Sequence, residues 1–309
     1  MQKHNQFAPI VLFVYNRLDH TEQTIEALKK NFLAEKSILY IYSDAPKNTE
    51  AVESVLKVRK YIKSVDGFKK VVIIERETNY GLAASIIDGV SSICKKYGRV
   101  IVLEDDLVTS KCFLTFMNNA LEVYKDRSDI FSITGFSFSQ SFMKFPKDYK
   151  EDIYLNIRPM SWSWATWTDR WSDVDWEVSD YDVFIKSSKK KKNFNRGGPD
   201  LTRMLKNQMK GRLDSWYIRW TYDAYKKSKY TVYPRISYVN NIGHDNSGVH
   251  CTIDENEIYS HKELNFQNNI QLKKDIQLDS RIIENFNKAF QVNIMKKIKE
   301  KFYKLINKK

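Results

Sequence analysis

Short apolar runs and longer amphipathic segments alternate through the first 140 residues. The apolar runs predict five buried strands, at 9–17, 37–45, 70–77, 99–106 and 129–138. The segments between them repeat apolar residues every three or four positions, which is typical of helices with one buried face. Strands that alternate with helices form βαβ units, so we predict an α/β fold with a mostly parallel central sheet flanked by helices.

The apolar spacing also predicts which helix faces are buried. In the first helix, Ile25, Leu28 and Phe32 are expected to lie on the core face, and Thr21 is a candidate to cap the N-terminus. In the second helix, the spacing places Val52, Val55 and Leu56 on the buried side. These positions define the packing that we expect against the sheet.

The pattern is less regular after about residue 145. Four tryptophans fall within residues 162–171. Helices are predicted near 199–210 and 215–228, and a strand is predicted at 230–243, where Pro234 interrupts it. The sequence contains no internal repeat and no low-complexity linker, so the two halves are expected to share one body.

The composition is that of a globular protein with a strong positive charge. Hydrophobic residues make up 42% of the 309 positions, which argues against an intrinsically disordered chain. Lysine and arginine total 51 against 38 acidic residues, and the net charge of +13 favours nucleic acid, phosphorylated small molecules or an anionic membrane face as partners. The three cysteines are widely spaced and odd in number, so neither a disulfide framework nor a zinc site is expected.

No sequence feature indicates export. No apolar run reaches the roughly 18 residues of a spanning helix, and the N-terminal residues lack the cleavage site of a signal peptide. We therefore expect a cytoplasmic protein. The C-terminal tail, residues 276–309, is basic and helix-prone, and one of its faces carries Ile294, Ile298, Phe302 and Leu305 among lysines. The tail is expected either to contact the inner face of the cell membrane as a peripheral anchor or to pack on the body.

The strongest chemical signal lies at the end of the fourth predicted strand. The run VIVL, at 100–103, leads directly into three carboxylates, Glu104, Asp105 and Asp106. Ligands of open α/β sheets bind at the carboxyl ends of the strands. Carboxylate oxygens suit Mg²⁺ or Mn²⁺, and such a metal in turn binds a diphosphate. The alternative is a helix cap with solvated loop charges, which three consecutive acids fit poorly.

Polar residues also follow the other strands of the first half. Asp44 follows the second strand, where its carboxylate is expected to accept a hydrogen bond from a base N–H. Asn79 and Gly81 follow the third strand, where they would let a loop approach a ligand. The sequence contains neither a G-x-G-x-x-G nor a G-x-x-x-x-G-K-[ST] pattern, which disfavours dinucleotide dehydrogenases and P-loop nucleotidases.

The order of these segments resembles that of GT-A nucleotide-sugar glycosyltransferases. The segments are PIVLFVYNR, SDA, ETNYGLAASI and VIVLEDD, and they are similar to the bacterial family 2 type and to the N-acetylglucosaminyltransferase I group. The resemblance covers most of residues 8–250. It implies a Rossmann-like domain in which residues 1–140 bind the nucleotide sugar. Residues 141–275 would form the acceptor and catalytic-base half of the same domain, ahead of the C-terminal tail.

By this resemblance, the acidic run corresponds to the D-x-D motif of the family. Asp106 would bind Mn²⁺ or Mg²⁺ with Asp105 in support, and His250, or failing it His244, would contact the diphosphate or complete the metal shell. Glu104 and Asp105 would contact the ribose, a metal-bound water or the donor sugar. The nucleotide pocket would be lined by Tyr15, Asn16, Arg17 and Asp44, with Asp44 bound to uracil.

The tryptophan-rich segment resembles the stretch below the donor sugar in these enzymes. In RPMSWSWATWTDRW, at 158–171, Trp162 and Trp164 would either stack on a sugar ring or pack in the core. Trp167 and Trp171 are expected to pack in the core. Ser163 stands where relatives often have glycine, which leaves the conformation of this turn open.

The catalytic base is expected in GRLDSWYIRW, at 211–220, which resembles the base-bearing segment of the family. Asp214 stands in the matching position. An inverting transfer needs a carboxylate that removes the proton of the acceptor hydroxyl. The alternative role for Asp214 is to cap the helix that follows. Asp200 and Asp223 are the other candidates for the base.

The resemblance implies an inverting, metal-dependent glycosyltransferase. It would move a sugar from a UDP-sugar to a glycan or lipid-linked acceptor in the synthesis of bacterial surface polysaccharide, with no nucleic-acid partner. A sugar-phosphate nucleotidyltransferase is the alternative within the same fold class, but no glycine-rich loop follows the first strand. A basic module that binds nucleic acid or membrane is the non-enzymatic alternative, and it leaves the three strand-end acids unexplained.

Overall fold

A computed structural model describes residues 7–140, 142–245 and 264–290. In chain order, its strands are β1 (Ile10–Val14), β2 (Ile38–Ser43), β3 (Lys70–Glu75), β4 (Arg99–Glu104), β5 (Leu107–Thr109), β6 (Ile130–Thr134), β7 (Ile153–Asn156), β8 (Trp164–Trp167), β9 (Tyr230–Pro234) and β10 (Val239–Asn241). Its helices are α1 (Leu18–Lys29), α2 (Val52–Ile62), α3 (Gly81–Tyr97), α4 (Phe113–Val123), α5 (Thr168–Trp171), α6 (Tyr181–Lys186), α7 (Ser188–Phe194), α8 (Leu201–Met209) and α9 (Trp216–Lys226). Residues 280–290 are also helical.

Eight strands form one mixed sheet in the order β3-β2-β1-β4-β8-β6-β9-β7. The first four are parallel neighbours, and β8 joins them antiparallel to β4. The pair β5 and β10 forms a separate antiparallel ribbon. The predicted α/β class is therefore confirmed, as are the five strands of the first half. Glu104 is the last residue of β4, while Arg17, Asp44, Asn79, Asp105 and Asp106 lie in the loops that follow the strands.

Side chains of β1 alternate between two apolar layers, which shows that both faces of the sheet are covered. Ile10, Leu12 and Val14 belong to the layer that includes α1, α2 and α4. Val11 and Phe13 point to the opposite layer, which includes α3 and α9. Because successive residues of a strand face opposite sides, an uninterrupted apolar run is what a strand buried on both faces requires.

Two predicted helix faces are wrong in part, although Ile25, Leu28 and Val55 are buried as expected. Helix α1 begins three residues before Thr21, so the Thr21 hydroxyl donates to the carbonyl of Arg17 inside the helix and caps nothing. Phe32 follows the end of this helix and is 52% exposed. Val52 and Leu56 are exposed as well, because α2 starts at Val52 and buries Val55, Val58 and Ile62 instead.

Four tryptophans form a stacked cluster that fixes α9 against the sheet. Trp164 of β8 is 1% exposed, and its ring lies 4.5 Å from that of Trp220, 5.0 Å from Trp216 and 5.3 Å from Trp171. Trp167 is also buried, on the other face of the sheet. The packing role expected for Trp167 and Trp171 is confirmed. Aromatic rings at these distances add stacking energy to the burial of their large surfaces.

The start of the C-terminal tail belongs to the body of the protein. Ile276 is buried in the α1–α4 layer, and Ile282, Ile283 and Phe286 are buried on a further aromatic cluster. Residues Ile294, Ile298, Phe302 and Leu305, the proposed membrane-facing residues, lie outside the described residues. Among the helices of the described residues, none is both long enough and apolar enough to cross a membrane.

Gly89 offers a test of how tightly α3 packs on the sheet. A Cβ at this position would stand 2.9 Å from Cζ of Phe13 and 3.2 Å from Cζ of Tyr42. We expect Gly89→Ala to lower the free energy of unfolding by about 1–2 kcal/mol, because overpacking of about 1–3 kcal/mol outweighs a gain in helix propensity of about 1 kcal/mol. Urea denaturation measures the change. Ser92→Ala, on the exposed side of α3, serves as the control, and an equally stable Gly89→Ala protein would contradict the packing.

Candidate functional site

The carboxyl ends of β1, β2, β3 and β4 lie side by side at one edge of the sheet. These strands are parallel neighbours, so the residues that follow each of them meet there. The structure thus brings together Arg17, Asp44, Gly81 and the acids at 104–106. This edge is the candidate active site.

Arg17 holds the acidic run together. Its Nη2 donates to Oδ1 of Asp105 and to Oδ2 of Asp106, the latter at 2.8 Å. Both carboxylates are nearly buried, with 5% and 7% of their residue surfaces exposed. The backbone is fixed on both sides: the Thr24 hydroxyl donates to the carbonyl of Asp105, and the N–H of Ile242 donates to that of Asp106. Buried charges need such partners, since unpaired ones cost several kcal/mol.

Burial and the repulsion of neighbouring charges raise the pKa values of Glu104 and Asp105. Burial raises the pKa of Glu104 to about 8, and the charges of Asp106 and Asp105 add to the effect. Burial also raises the pKa of Asp105 to about 6, although the charge of Arg17 opposes this shift. The pKa of Arg17 is raised by both aspartates despite its own burial. The site therefore carries a protonation equilibrium near neutral pH, which is common where chemistry takes place.

The acidic run fits a divalent metal only in part. No group of three or more metal-ligating side chains converges anywhere in residues 7–140, 142–245 and 264–290. Asp105 and Asp106 nevertheless direct one oxygen each to a single point, which the cationic nitrogen of Arg17 occupies. Mg²⁺ is commonly held by one or two carboxylates together with substrate phosphates and water. The two aspartates fit a metal that arrives with a diphosphate. His250, the proposed further ligand, lies outside the described residues.

Asp44 ties the end of β2 to the start of α3. Its Oδ1 accepts hydrogen bonds from the N–H groups of Ala45 and Tyr80, and its Oδ2 accepts one from the N–H of Gly81, each at 2.9 Å. Gly81 has a φ of +72°, a conformation that favours glycine. The Asn79 amide donates to the carbonyl of Ala45 at 2.6 Å. Each carboxylate oxygen can accept two bonds, so Oδ2 retains an acceptor position for a base N–H.

The loop after β1 is tied to the loop after β2. The hydroxyl of Tyr15 accepts a hydrogen bond from the N–H of Lys47 at 2.9 Å. Tyr15, Asn16 and Arg17 are all half-buried, so each keeps surface toward the edge of the sheet. Their proposed contact with a nucleotide stays a prediction.

Asp214 reaches the same edge from the second half of the chain. Its Oδ2 lies 4.0 Å from the point where a Cβ would stand on Gly81. Its suggested capping role is wrong, because Ser215 caps α9 by accepting a hydrogen bond from the N–H of Ile218. Across the part of the chain that the structure describes, the exposed Asp214 carboxylate makes no hydrogen bond or ion pair. Asp214 is therefore available for chemistry.

The other two candidates for the base have structural partners. Asp200 forms a bidentate ion pair with Arg158, at 2.8 and 3.0 Å, and its pKa is lowered because this pairing outweighs the effect of burial. Asp223 is 1% exposed and pairs with Lys227 at 2.7 Å. Neither side chain lies ready to accept a proton from an acceptor, so Asp200 and Asp223 are set aside.

Trp162, rather than Trp164, contacts the β10 loop, which lies on the acids through Gly243. The ring of Trp164 is enclosed by other tryptophans, so the structure does not bring it to the sheet edge as the sugar-stacking prediction requires. Trp162 is half-buried, and its ring meets that of His244 edge-on at 5.4 Å. Ser163, which lies between Trp162 and Trp164 in the sequence, has a φ of +48°, which explains why relatives favour glycine in this turn.

Gly243 is a site residue that sequence reasoning did not single out for its contacts. A side chain at this position would overlap the carboxylate of Asp106 and would approach Nη1 of Arg17 within 3.1 Å. The backbone of the β10 loop therefore lies directly on the ion-paired acids. The sequence did not reveal this contact, because the approach of Gly243 to Asp106 depends on the pairing of β10 with β5.

Comparison with known proteins gives a likeness of fold. No family model matches the chain, and no curated protein matches it significantly. One similar solved structure is the mannosyltransferase PcManGT from Pyrobaculum calidifontis in complex with GDP-Man and Mn²⁺, with a TM-score of 0.31 and 11% identity over 42% of this chain. Another is TarS of S. aureus, with a TM-score of 0.41 and 15% identity over 75% of this chain. The aligned part spans 36% of the length of each of these proteins, and likeness at this level assigns no activity.

Replacement of Arg17 tests its role as counter-ion to the acids. We expect Arg17→Met to lower the free energy of unfolding by about 2–4 kcal/mol, because two nearly buried carboxylates lose their partner. Millimolar Mn²⁺ should raise the melting temperature of this variant more than that of the wild type, since a cation can then reach both aspartates. Thermal melts with Mn²⁺ or EDTA measure both effects. Lys57→Met, which removes an exposed ion pair with Glu53, is the control, and equal Mn²⁺ responses would contradict the role.

Glu104 gives a prediction about pH. Its folded pKa of about 8 lies above the ordinary glutamate value of 4.5, so the folded state binds the additional proton and wild-type stability falls as pH rises between these values. Glu104→Gln lacks this proton. Between pH 5 and pH 8, we expect the free energy of unfolding of the variant to rise by roughly 1–2 kcal/mol relative to that of the wild type. Denaturant unfolding across this range measures the difference, with exposed Glu35→Gln as control. A constant difference would show that Glu104 ionises normally.

Proposed function

We propose that this protein is an inverting glycosyltransferase that uses a nucleotide sugar, with a UDP-sugar as the expected donor. One observation carries the proposal: Asp214, a carboxylate without a structural partner in the described residues, lies against Gly81, at the edge where β1 to β4 present Arg17, Asp44 and the acids at 104–106. A proton acceptor thus lies beside a diphosphate-binding edge, which is the pairing that sugar transfer from a nucleotide needs.

The edge offers a distinct group for each part of the donor. Asp44 retains an acceptor position for the base, next to the half-buried Tyr15 and Asn16. Nη1 of Arg17 is buried without a hydrogen-bond acceptor in the described residues, so it is a donor suited to a phosphate oxygen. Glu104 and Trp162 are proposed to contact the sugar. Asn79 and Gly81 are proposed to line the same edge. His250 stays a proposed ligand.

In the reaction, Asp214 accepts the proton of the acceptor hydroxyl as its oxygen attacks the anomeric carbon. The carbon–oxygen bond to the diphosphate breaks on the opposite face, and the electron pair leaves with the nucleoside diphosphate. The configuration at the anomeric carbon is inverted. Because the displacement needs one base on the acceptor side, a single carboxylate in the place of Asp214 is sufficient.

Charge must be supplied where the diphosphate departs. Arg17 provides a fixed cation at this point. A Mn²⁺ or Mg²⁺ ion, when held by Asp105 and Asp106, would act as a Lewis acid on the leaving diphosphate. The acceptor is proposed to be a glycan or a lipid-linked oligosaccharide of bacterial surface polysaccharide synthesis. Peripheral contact of the tail with the cytoplasmic membrane face would bring the enzyme to such a lipid-linked acceptor.

The assay is release of nucleoside diphosphate from a panel of UDP-sugars, with Mn²⁺ or with EDTA. We expect binding and slow turnover of at least one UDP-sugar, and loss of turnover in EDTA. Release of pyrophosphate from UTP and a sugar phosphate would instead identify a nucleotidyltransferase. No binding of any nucleotide sugar by the intact protein would refute the proposal.

Asp214→Asn separates catalysis from binding. We expect turnover to fall by a factor of about 10² to 10⁴, the usual contribution of a general base, while the Kd for UDP changes less than about twofold because Asp214 does not hold the nucleotide. Asp182→Asn makes the same chemical change at an exposed position of α6 and should keep full activity. Equal activity of the two variants would remove Asp214 from the mechanism.

A further inference from the structure

Much of the positive charge of the chain lies in two segments, residues 186–212 and the basic C-terminal tail. Residues 186–212 contain ten lysines and arginines and a single acid, Asp200, which is paired with Arg158. About two thirds of the net charge of +13 therefore arises in 27 residues. The segment comprises α7 and α8, and it ends two residues before Asp214.

These cations are unpaired as well as numerous. None of the ten forms an ion pair within the part of the chain that the structure describes, and nine of them are exposed. Some lysines elsewhere on the surface do have acidic partners, as Lys57 has Glu53 and Lys63 has Glu75. Clustered like charges repel one another, and an anionic partner would relieve that repulsion.

Helix α8 orders three of these cations into one face. Arg203, Lys206 and Lys210 are spaced three and four residues apart and are all exposed, so they lie along one side of the helix. Leu201 and Leu205 on the opposite side are buried against α9. We call the three cations the basic face.

The basic face is joined to the candidate base. The side chain of Gln208 in α8 accepts a hydrogen bond from the N–H of Ser215 at 2.6 Å, directly after Asp214. Helix α8 also packs on α9, whose tryptophans fix it to the sheet. The basic face lies on the side of α8 away from α9, and its last member, Lys210, stands four residues before Asp214 in the chain.

We propose that the basic face binds an anionic acceptor glycan, one that carries phosphate or carboxylate groups along its chain. The proposal deepens the proposed function and rests on it, because it names the acceptor class of the same site. Cations beside Asp214 would hold such a chain by its repeated charges, with a hydroxyl of its end presented to the base. The transfer itself is unchanged: the hydroxyl loses its proton to Asp214 and gains the sugar.

The surroundings of the basic face favour a soluble polyanion over the two other partners of basic proteins. Surfaces that bind single-stranded nucleic acid stack its bases on aromatic side chains, but Phe194, the aromatic residue of 186–212, is buried. Helices that lie on membranes insert apolar residues between the lipids, whereas Leu201 and Leu205 face the core. The side chains that the basic face exposes to solvent are charged.

The test compares the wild type and three triple variants for binding of a labelled oligogalacturonate, an anionic glycan, and of its neutral methyl ester. We expect the wild type to bind the oligogalacturonate in a salt-dependent manner and to ignore the ester. Arg203→Gln/Lys206→Gln/Lys210→Gln should weaken binding about tenfold at low salt. The matched variant Lys57→Gln/Lys60→Gln/Lys63→Gln removes three exposed lysines from α2 and should change binding less than twofold. Arg203→Lys/Lys206→Arg/Lys210→Arg keeps the charge and should retain binding.

Several results would overturn the proposal. Equal binding of the ester would show that charge is not recognised, and equal losses in the two neutralised variants would show that net charge acts without a site. Tighter binding of poly-U, or of phosphatidylglycerol vesicles, than of the oligogalacturonate would assign the face to nucleic acid or membrane. UDP binding is measured on the same proteins. Wild type that binds the glycan but no UDP would refute the proposed function and leave glycan binding standing.

Discussion

The desolvation of three neighbouring carboxylates at the end of β4 is the constraint on which the site depends. Placed at the end of a strand that is buried on both faces, Glu104, Asp105 and Asp106 would repel one another and lack water. Arg17 compensates two of them from the end of the neighbouring strand, and Thr24 and Ile242 hold the backbone on either side. These contacts tie the end of β4 to the first helix and to the β10 loop.

The same constraint provides a means of binding a diphosphate. Arg17 satisfies the aspartates through Nη2 while Nη1 stays without an acceptor in the described residues. An arginine with one nitrogen committed and one available can respond to a phosphate or yield its place to a metal. An arrangement that is stable without ligand thus remains open to a ligand, since neither the acids nor the cation is fully satisfied by protein.

Aromatic packing determines where the second half contributes to the site. The tryptophans of β8, α5 and α9 stack together under α3 and fix the start of α9. Asp214 lies two residues before Trp216, so this packing holds its carboxylate beside Gly81. The tryptophans that resembled a sugar-binding platform in the sequence act mainly as the support that brings the candidate base to the edge. On the other side of α9, the same helix carries α8 and its basic face.

The sequence by itself determined the α/β class, the parallel order of the first strands and the location of the acids, because these follow from local alternation of apolar and polar residues. It also singled out Asp214 and the resemblance to nucleotide-sugar enzymes. The sequence did not predict where the helices begin, as Thr21, Val52 and Leu56 show. A shift of a few residues in the start of a helix changes which of its side chains face the core. Only the tertiary structure decided which tryptophan lies at the edge, that Gly243 covers Asp106, and that Arg17 is the partner of the acids. Each of these is a contact between residues about eighty or more positions apart, and no local pattern encodes such a contact.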